Sequence, residues 1–521
     1  MKKNIITQKY KWTTCGYIRF TGFAWCDGKL ISEDKFGEEI EHNSHDFENF
    51  AQWICSLNGP FAIIRELEDE FWMATSHTWT YPLFYAQNRE GVEIGDTPES
   101  FNIPGETQIR TEDELYFLAF GVTPGNHTLN DQIKSVMPGE AIRLKGLEIQ
   151  TVNKLDSWLQ TELPESTAED TAQRIRAMFQ RYSGIIGKRK VLLPLTSGYD
   201  SRLLACLLKE FGHSDVICAT WGNPENIERE AAQKVAERLG YPYLFIPYNH
   251  EVIANFPTDP EFGKFVRHVG HLTSMPYLQE YFAIRQLIKE GVIDQNTVVI
   301  PGHPGDFLRG SHLTPGLTSE ENSRVIKKIL AQFGSDYPLT GQEKMMVINE
   351  TNELFFKDPN FTDNRIRFDQ WDFIERQCKL VANSSMAWSF FAIETLHPLF
   401  DWDLVSYFPN LPISQRLASV HYTETLISQF FGKHGVDFML RKESLPANDA
   451  GVIKQKLIRF LPDFLKKWYY QDVNPIRYRE ITHELIRLWP GFQFKSPVRP
   501  YSYNSYLIQW YLQFIKKTER F

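Results

Sequence analysis

The stretch Leu195-Thr196-Ser197-Gly198-Tyr199-Asp200-Ser201-Arg202 follows the apolar run Val191-Leu192-Leu193 and leads into a helical pattern over 203–211. A strand, a short loop of small residues and a helix start, in that order, make an anion site. Backbone N–H groups in such a loop converge on a phosphate and the helix dipole adds positive potential. An acidic side chain within the loop can hold a magnesium ion against that phosphate. The loop lacks the Lys-Ser/Thr ending of a Walker loop and the three spaced glycines of a dinucleotide fingerprint, which disfavours γ-phosphate transfer of that kind and NAD binding. Nucleotide chemistry of another type is expected.

The surroundings support this. Strands are expected over 191–195, 216–220 and 243–246, separated by helices over 202–211 and 228–239, the second closed by Gly240. Short apolar strands alternating with amphipathic helices argue for a parallel sheet, with ligands at the carboxyl ends of its strands. Upstream, about the first 155 residues read as β-rich, with apolar runs at 17–20, 61–64, 71–74 and 83–86 bounded by Gly, Asn, Asp or Pro. A polar stretch over 160–167 then precedes a helix over 168–182, capped by Ser166 or Thr167. The expected division is 1–157 and 165–521. At 521 residues the chain is long enough for two cores.

Composition narrows the partners. A formal net charge of -9, with 56 Lys and Arg against 65 Asp and Glu, offers no basic face for duplex nucleic acid. Six cysteines without any C-x-x-C pair suggest reduced thiols rather than a zinc ribbon or a disulfide framework. No run reaches eighteen apolar residues, and the first residues lack the apolar region of a secretory signal. A soluble, cytoplasmic protein without a transmembrane segment is expected. The aromatic residues clustered over 468–521 are either extra core or a docking surface.

A second strand, over 297–300, empties into Pro301-Gly302-His303-Pro304-Gly305-Asp306-Phe307-Leu308-Arg309-Gly310. Asp200 and Asp306 at two strand ends could share one magnesium ion; alternatively, Asp306 caps the next helix. The first loop resembles the S-G-G-x-D-S pyrophosphate loop of ATP pyrophosphatases, with Thr196 and Ser197 in place of Ser and the first Gly. A Ser at 197 is expected to cost about a kcal/mol or more if that position needs a positive φ.

With these motifs the chain resembles the asparagine synthetase family, which includes β-lactam synthetases and lasso-peptide cyclases. The Asp306 loop is similar to the family's G-x-G-x-D-x-x-x-G-G, and Glu394-Thr395-Leu396-His397-Pro398-Leu399-Phe400-Asp401 to its E-x-R-x-P-F-L-D. Leu57-Asn58-Gly59-Pro60-Phe61-Ala62, Pro82-Leu83-Phe84-Tyr85 and Met137-Pro138-Gly139-Glu140 follow the order of its amidotransferase-like domain. The resemblance implies an α/β protein: a β-rich amidotransferase-like N-terminal domain, then a parallel-sheet ATP-pyrophosphatase (adenine nucleotide α-hydrolase-like) synthetase domain with a helical C-terminal part. It implies an asparagine synthase type of ligase that activates a carboxylate as an acyl-adenylate for attack by ammonia or an amine.

The resemblance assigns ATP to Leu195, Thr196, Ser197, Gly198, Asp200, Ser201, Thr220 and Gly302, and Mg2+ to Asp200 and Asp306. It assigns catalysis to Glu394, His303 and Lys442. His303, three before the loop aspartate, would form a base and orienter with Glu394, or else bond only its own loop. Lys442 would stabilise the tetrahedral intermediate. Ala219-Thr220-Trp221 would give backbone contacts to adenine, Ser274-Met275-Pro276 would lie beside the α-phosphate or acyl group, and Glu228 and Glu230 would be helix surface. A class II glutaminase needs a cysteine at its mature amino terminus. Cys15 lies beyond a fourteen-residue lead and the N-G-E segment is missing, so glutaminase activity is expected to be absent.

The partners implied are a small-molecule or peptide carboxylate and an amine or ammonia, with a homodimer or a biosynthetic partner protein left open. One alternative is a catalytically retired nucleotide-binding scaffold; another is docking on a membrane or a partner through the aromatic tail and the basic stretch 454–467.

Overall fold

The computed structural model describes residues 2–518 apart from 32–34, 90, 104–107, 159–161, 226–227, 315–316, 318–320, 358–362, 439–475, 490 and 500–501. Lys442 and the basic stretch 454–467 lie outside the described residues.

The first part is built from antiparallel ladders. Its strands are β1 (Lys2–Ile6), β2 (Thr13–Cys15), β3 (Ile18–Gly22), β4 (Ala24–Cys26), β5 (Lys29–Ile31), β6 (Phe61–Glu66), β7 (Glu70–Thr75), β8 (Phe84–Gln87), β9 (Gly91–Gly95), β10 (Lys134–Ser135), β11 (Glu140–Lys145) and β12 (Glu148–Asn153). A six-stranded sheet has the order β12-β11-β7-β6-β3-β2, a four-stranded one β1-β9-β8-β10, and β4-β5 form a hairpin. Within the four-stranded sheet β1 runs parallel to β9. β6 and β7 are buried nearly throughout because both of their faces carry apolar side chains: Phe61 and Ile63 pack with the helix Phe47–Ser56, and Ala62 and Ile64 with Leu83 and Ile94.

The helix Ala168–Ile186 opens with a capping box in which the Thr167 hydroxyl accepts from Asp170 N and the Asp170 carboxylate accepts from Thr167 N. Of the two expected caps, Thr167 is the one used. The chain then forms β13 (Val191–Pro194), β14 (Val216–Gly222), β15 (Tyr243–Pro247), β16 (Val298–Val299) and β17 (Glu394–Thr395), all parallel, in the order β15-β14-β13-β16-β17. From β13 the strands step outward to β15, and the chain then returns to the other side of β13 with β16. The strand order therefore reverses between β13 and β16, and a ligand crevice forms outside their carboxyl ends.

The intervening helices bury the sheet. Leu203, Leu204 and Leu207 of the helix Tyr199–Glu210 are fully buried, each contributing about 1.5–3 kcal/mol relative to exposure. This helix begins three residues earlier than the sequence pattern suggests, so Asp200 and Ser201 occupy its first turn. In the second half of the chain helices dominate. The last of them, Tyr503–Thr518, buries Trp510, Tyr511, Phe514 and Ile515, so this part of the aromatic tail is core. Among the described residues no helix is long and apolar enough to cross a membrane. All six cysteines are unpaired.

Candidate active site

The loop after β13 and the loop after β16 open side by side into a cavity of about 430 Å3, within the range of small-molecule sites. Leu195, Thr196, Gly198, Asp200, Ser201, Thr220, Gly302, His303 and Asp306 all line it. In the first loop, Thr196 N donates to Ser201 Oγ at 3.2 Å and Gly198 N to Thr196 Oγ1 at 3.1 Å. The Ser197 carbonyl accepts from Arg202 Nη2 at 2.8 Å, which turns Ser197 into a loop anchor rather than part of the cavity wall. Ser197 is not among the residues with positive φ, and Gly198 has φ -68. The expected backbone cost of Ser at 197 is therefore absent. Thr220 Oγ1 donates to Leu195 O at 2.6 Å and Leu195 N to Ala219 O at 2.8 Å, tying the ends of β13 and β14 together.

The two aspartates meet where a glycine lets them. A Cβ on Gly305 would stand 1.9 Å from Asp200 Cγ, and one on Gly302 would stand 3.0 Å from Ser201 N. Only bare backbone fits against the Asp200 carboxylate. Tyr422, from the helix Val420–Leu426, donates its hydroxyl to Asp200 Oδ1 at 2.8 Å. Arg309 Nη2 reaches Asp306 Oδ1 at 2.8 Å. Burial first, and the charge of Asp306 second, push the Asp200 carboxyl up to about 7, with Arg309 and Tyr422 opposing.

This oxygen-only donor set, carrying more negative charge than Arg309 offsets, fits a hard divalent cation. Another cluster, Asp113, His127 and Glu350, also brings possible ligand atoms together. There Arg110 already lies 2.9 Å from His127 Nδ1 and 3.6 Å from Asp113, so a guanidinium occupies the cation position.

His303 lines the cavity, and burial lowers its imidazole to about 4 although Asp306 opposes the shift. Its expected partner is elsewhere. Glu394 opens β17, where it is level with Val298, which is level with Val191; all three stand at the amino edge of the sheet. There the Glu394 carboxylate pairs with Arg189 at the surface. The His303–Glu394 dyad is therefore not formed, because residues that start a parallel strand face away from loops that follow its neighbours. What the motif does bring toward His303 is His397, at the carboxyl end of β17. Its ring is buried, has no hydrogen-bond partner on either nitrogen, and is lowered to about 3 by burial and by His303.

Two further expectations are corrected. Ser274 is fully buried and bridged to Val122, and Met275 packs against Gly121, so the wall of the cavity begins at Tyr277. Glu228 lines the cavity rather than the helix surface, whereas Glu230 is exposed. Asp401, the last residue of the motif, is a fastening between the two parts of the chain. Its Oδ1 accepts from Asn58 Nδ2 at 3.0 Å and from Arg181 Nη2 at 2.7 Å. Tyr422, Arg309, Glu280 and Arg376 are site residues that motif reasoning missed. Arg309 could have been found as the residue three after Asp306 on a helical turn; Tyr422 had no signal.

A family described as asparagine synthase matches residues 185–426. The matched span contains both loops, Tyr422 and the whole parallel sheet. The match supports an ATP-dependent amide ligase in general. No curated protein matches the chain.

Solved structures are similar in part. They include an NH3-dependent NAD synthetase from Campylobacter jejuni, at 17% identity over 38% of this chain and 91% of that one, TM-score 0.21. They also include an NMN synthetase from Francisella tularensis, at 13% identity over 44% and 94%, TM-score 0.21. A glutamine phosphoribosylpyrophosphate amidotransferase from B. subtilis is similar at 13% identity over 61% and 59%, TM-score 0.18.

Proposed function

We propose that the chain is an AMP- and pyrophosphate-forming amide ligase: a carboxylate displaces pyrophosphate from ATP, and an amine or ammonia then displaces AMP to leave an amide and a proton. The observation that carries this reading is the meeting of Asp200 and Asp306 on adjacent strand-end loops across the switch point. The N–H groups at the start of the helix Tyr199–Glu210 and the hydroxyls of Thr196 and Ser201 supply donors to a polyphosphate. Asp200 and Asp306 would hold Mg2+, which supplies charge neutralisation for a pyrophosphate leaving group. Tyr422 fixes the orientation of Asp200, and Gly305 admits its carboxylate.

Thr220 and the backbone of 219–221 serve the adenine end, where Trp221 and Trp388 stand 6.1 Å apart on the cavity wall. A neutral His303 orients the reacting carboxylate or accepts a hydrogen bond from the amine. Glu394 has no part in this reading, and Lys442 keeps the stabilising role implied by the family resemblance.

The division at 1–157 and 165–521 is part of the same proposal, as is the absence of glutaminase activity. Supporting the latter, β1 is built into a sheet beside β9, Asp96 binds the backbone of Gln8 and Lys9 and the indole of Trp12, and Cys15 follows on the strand β2. The cysteine thus sits within a folded run of chain. Cytoplasmic location, and an acid that is aspartate, a peptide, a sugar acid or a β-amino acid, complete the reading. The test is magnesium-dependent exchange of labelled pyrophosphate into ATP across a panel of carboxylates, with Asp200→Asn as control. Exchange with a given acid, lost in the variant, supports adenylation; ATP binding without exchange for any acid would overturn it. Release of glutamate from glutamine would overturn the glutaminase part.

A further inference from the structure

The cavity has further polar lining that does not belong to the two strand-end loops. Tyr277, Gln279 and Glu280 come from the segment that leads into the helix Tyr281–Lys289, and Arg376 comes from the helical stretch Asp372–Val381. Glu280 is 9% exposed, and its Oε2 has no hydrogen-bond partner. Nor does it belong to any ion pair among the described residues.

Among the described residues, the groups that feel its charge are phenols. Tyr248, Tyr277 and Tyr478 are each close enough for the charge of Glu280 to raise their hydroxyls further, yet two of them are committed elsewhere. Tyr248 donates to the Gln279 carbonyl, and Tyr478 donates to Gln279 Oε1 at 2.8 Å. A buried carboxylate oxygen without a partner is costly, and burial, opposed by a bond from the residue's own backbone N–H, pushes this carboxyl up to about 8. A carboxylate bordered by aromatic rings is the usual chemistry of a site for an organic cation.

We propose that Glu280 is the ammonium subsite of this cavity, pairing with a primary amine carried by a substrate. The proposal rests on the ligase reading for its context and names the substrate class within it. The ammonium belongs either to the acid that is activated or to the amine that attacks; the chemistry at Glu280 is the same.

Direct binding is measured first, by titration calorimetry on the full chain with lysine and β-alanine, with their N-acetylated counterparts, and separately with Mg2+ and ATP. The amines are expected to bind about tenfold or more tightly than the acetylated forms. E280Q should abolish that preference and leave ATP affinity within about twofold, whereas E280D should retain a weaker preference. Equal binding of amines and acetylated forms by the unaltered protein overturns the proposal, with no variant needed. Loss of ATP affinity in E280Q equal to the loss for amines also overturns it and assigns the residue to the nucleotide.

Pyrophosphate exchange then separates the two sources. A raised KM for the acid in E280Q places the ammonium on the acid, and an unchanged exchange with a raised KM for the amine places it on the nucleophile. An amine preference at Glu280 without exchange for any acid would leave the subsite standing and remove the ligase reading.

Discussion

At the carboxyl end of the parallel sheet, Asp200 and Asp306 are held so close that one shifts the other's titration, glycine backbone is packed against a carboxylate, and a tyrosine from a distant helix completes the arrangement. At the amino end of the same strands, Glu394 and Arg189 form an ion pair with side chains 40% and 32% exposed. Both ends carry conspicuous charged residues. Only one end has converging loops, because a parallel strand hands the chain to a helix at its carboxyl end and neighbouring loops open the same way. A motif residue is thus functional according to which end of a strand it occupies, and a shift of three residues, from Glu394 to His397, is enough to change ends.

The difference can be broken most sharply at Asp200: Asp200→Asn should lower pyrophosphate exchange by about 10³-fold or more, read from initial rates at saturating ATP. Retained exchange would remove the carboxyl end as the reaction site. Next in size, Lys442→Ala should lower amide formation by roughly 10²–10³-fold while leaving exchange largely intact, and equal loss of both would defeat its assigned role.

Magnesium and ATP together should stabilise the protein by about 2.7 kcal/mol at a hundredfold excess over Kd, seen as a rise in Tm, and Asp306→Asn should remove most of that rise. Tyr422→Phe deletes one hydrogen bond to a carboxylate and should slow exchange by about 5–20-fold with little effect on folding. Smallest of all, Glu394→Gln should leave exchange within about twofold and cost about 0–1 kcal/mol in stability, as expected for an exposed pair. A large loss of exchange in Glu394→Gln would erase the contrast between the two ends.

Much of the framework was legible. The apolar runs at 61–64, 71–74 and 83–86 became β6, β7 and β8 within two residues, the alternation after 191 became the parallel sheet, and Thr167 caps its helix as its side chain allows. Both strand-end loops came together in one cavity because strand, small-residue loop and helix form a local pattern. What stayed hidden depends on register and on distant contacts. The level of Glu394 against Val298 is set by pairing across the sheet. The bond from Tyr422 to Asp200 spans 222 positions, and no spacing rule reaches that far. The relaxed backbone at Ser197 arises because the helix starts at Tyr199, so the loop is shorter than its motif suggests.

The closing helix, Tyr503–Thr518, does not pack on its sequence neighbours alone. Lys516 pairs with Glu114 across 402 positions, and the ring of Tyr511 lies 5.8 Å from that of Phe117 in the helix Thr111–Phe120. During synthesis at about 5–20 residues per second, that earlier helix would wait at least about twenty seconds for its covering. Contacts of such sequence separation slow folding and leave apolar surface bare meanwhile. The β-rich part of this chain thus acquires its final face only when the helical part that follows the parallel sheet is finished, which couples the two in time as well as in space.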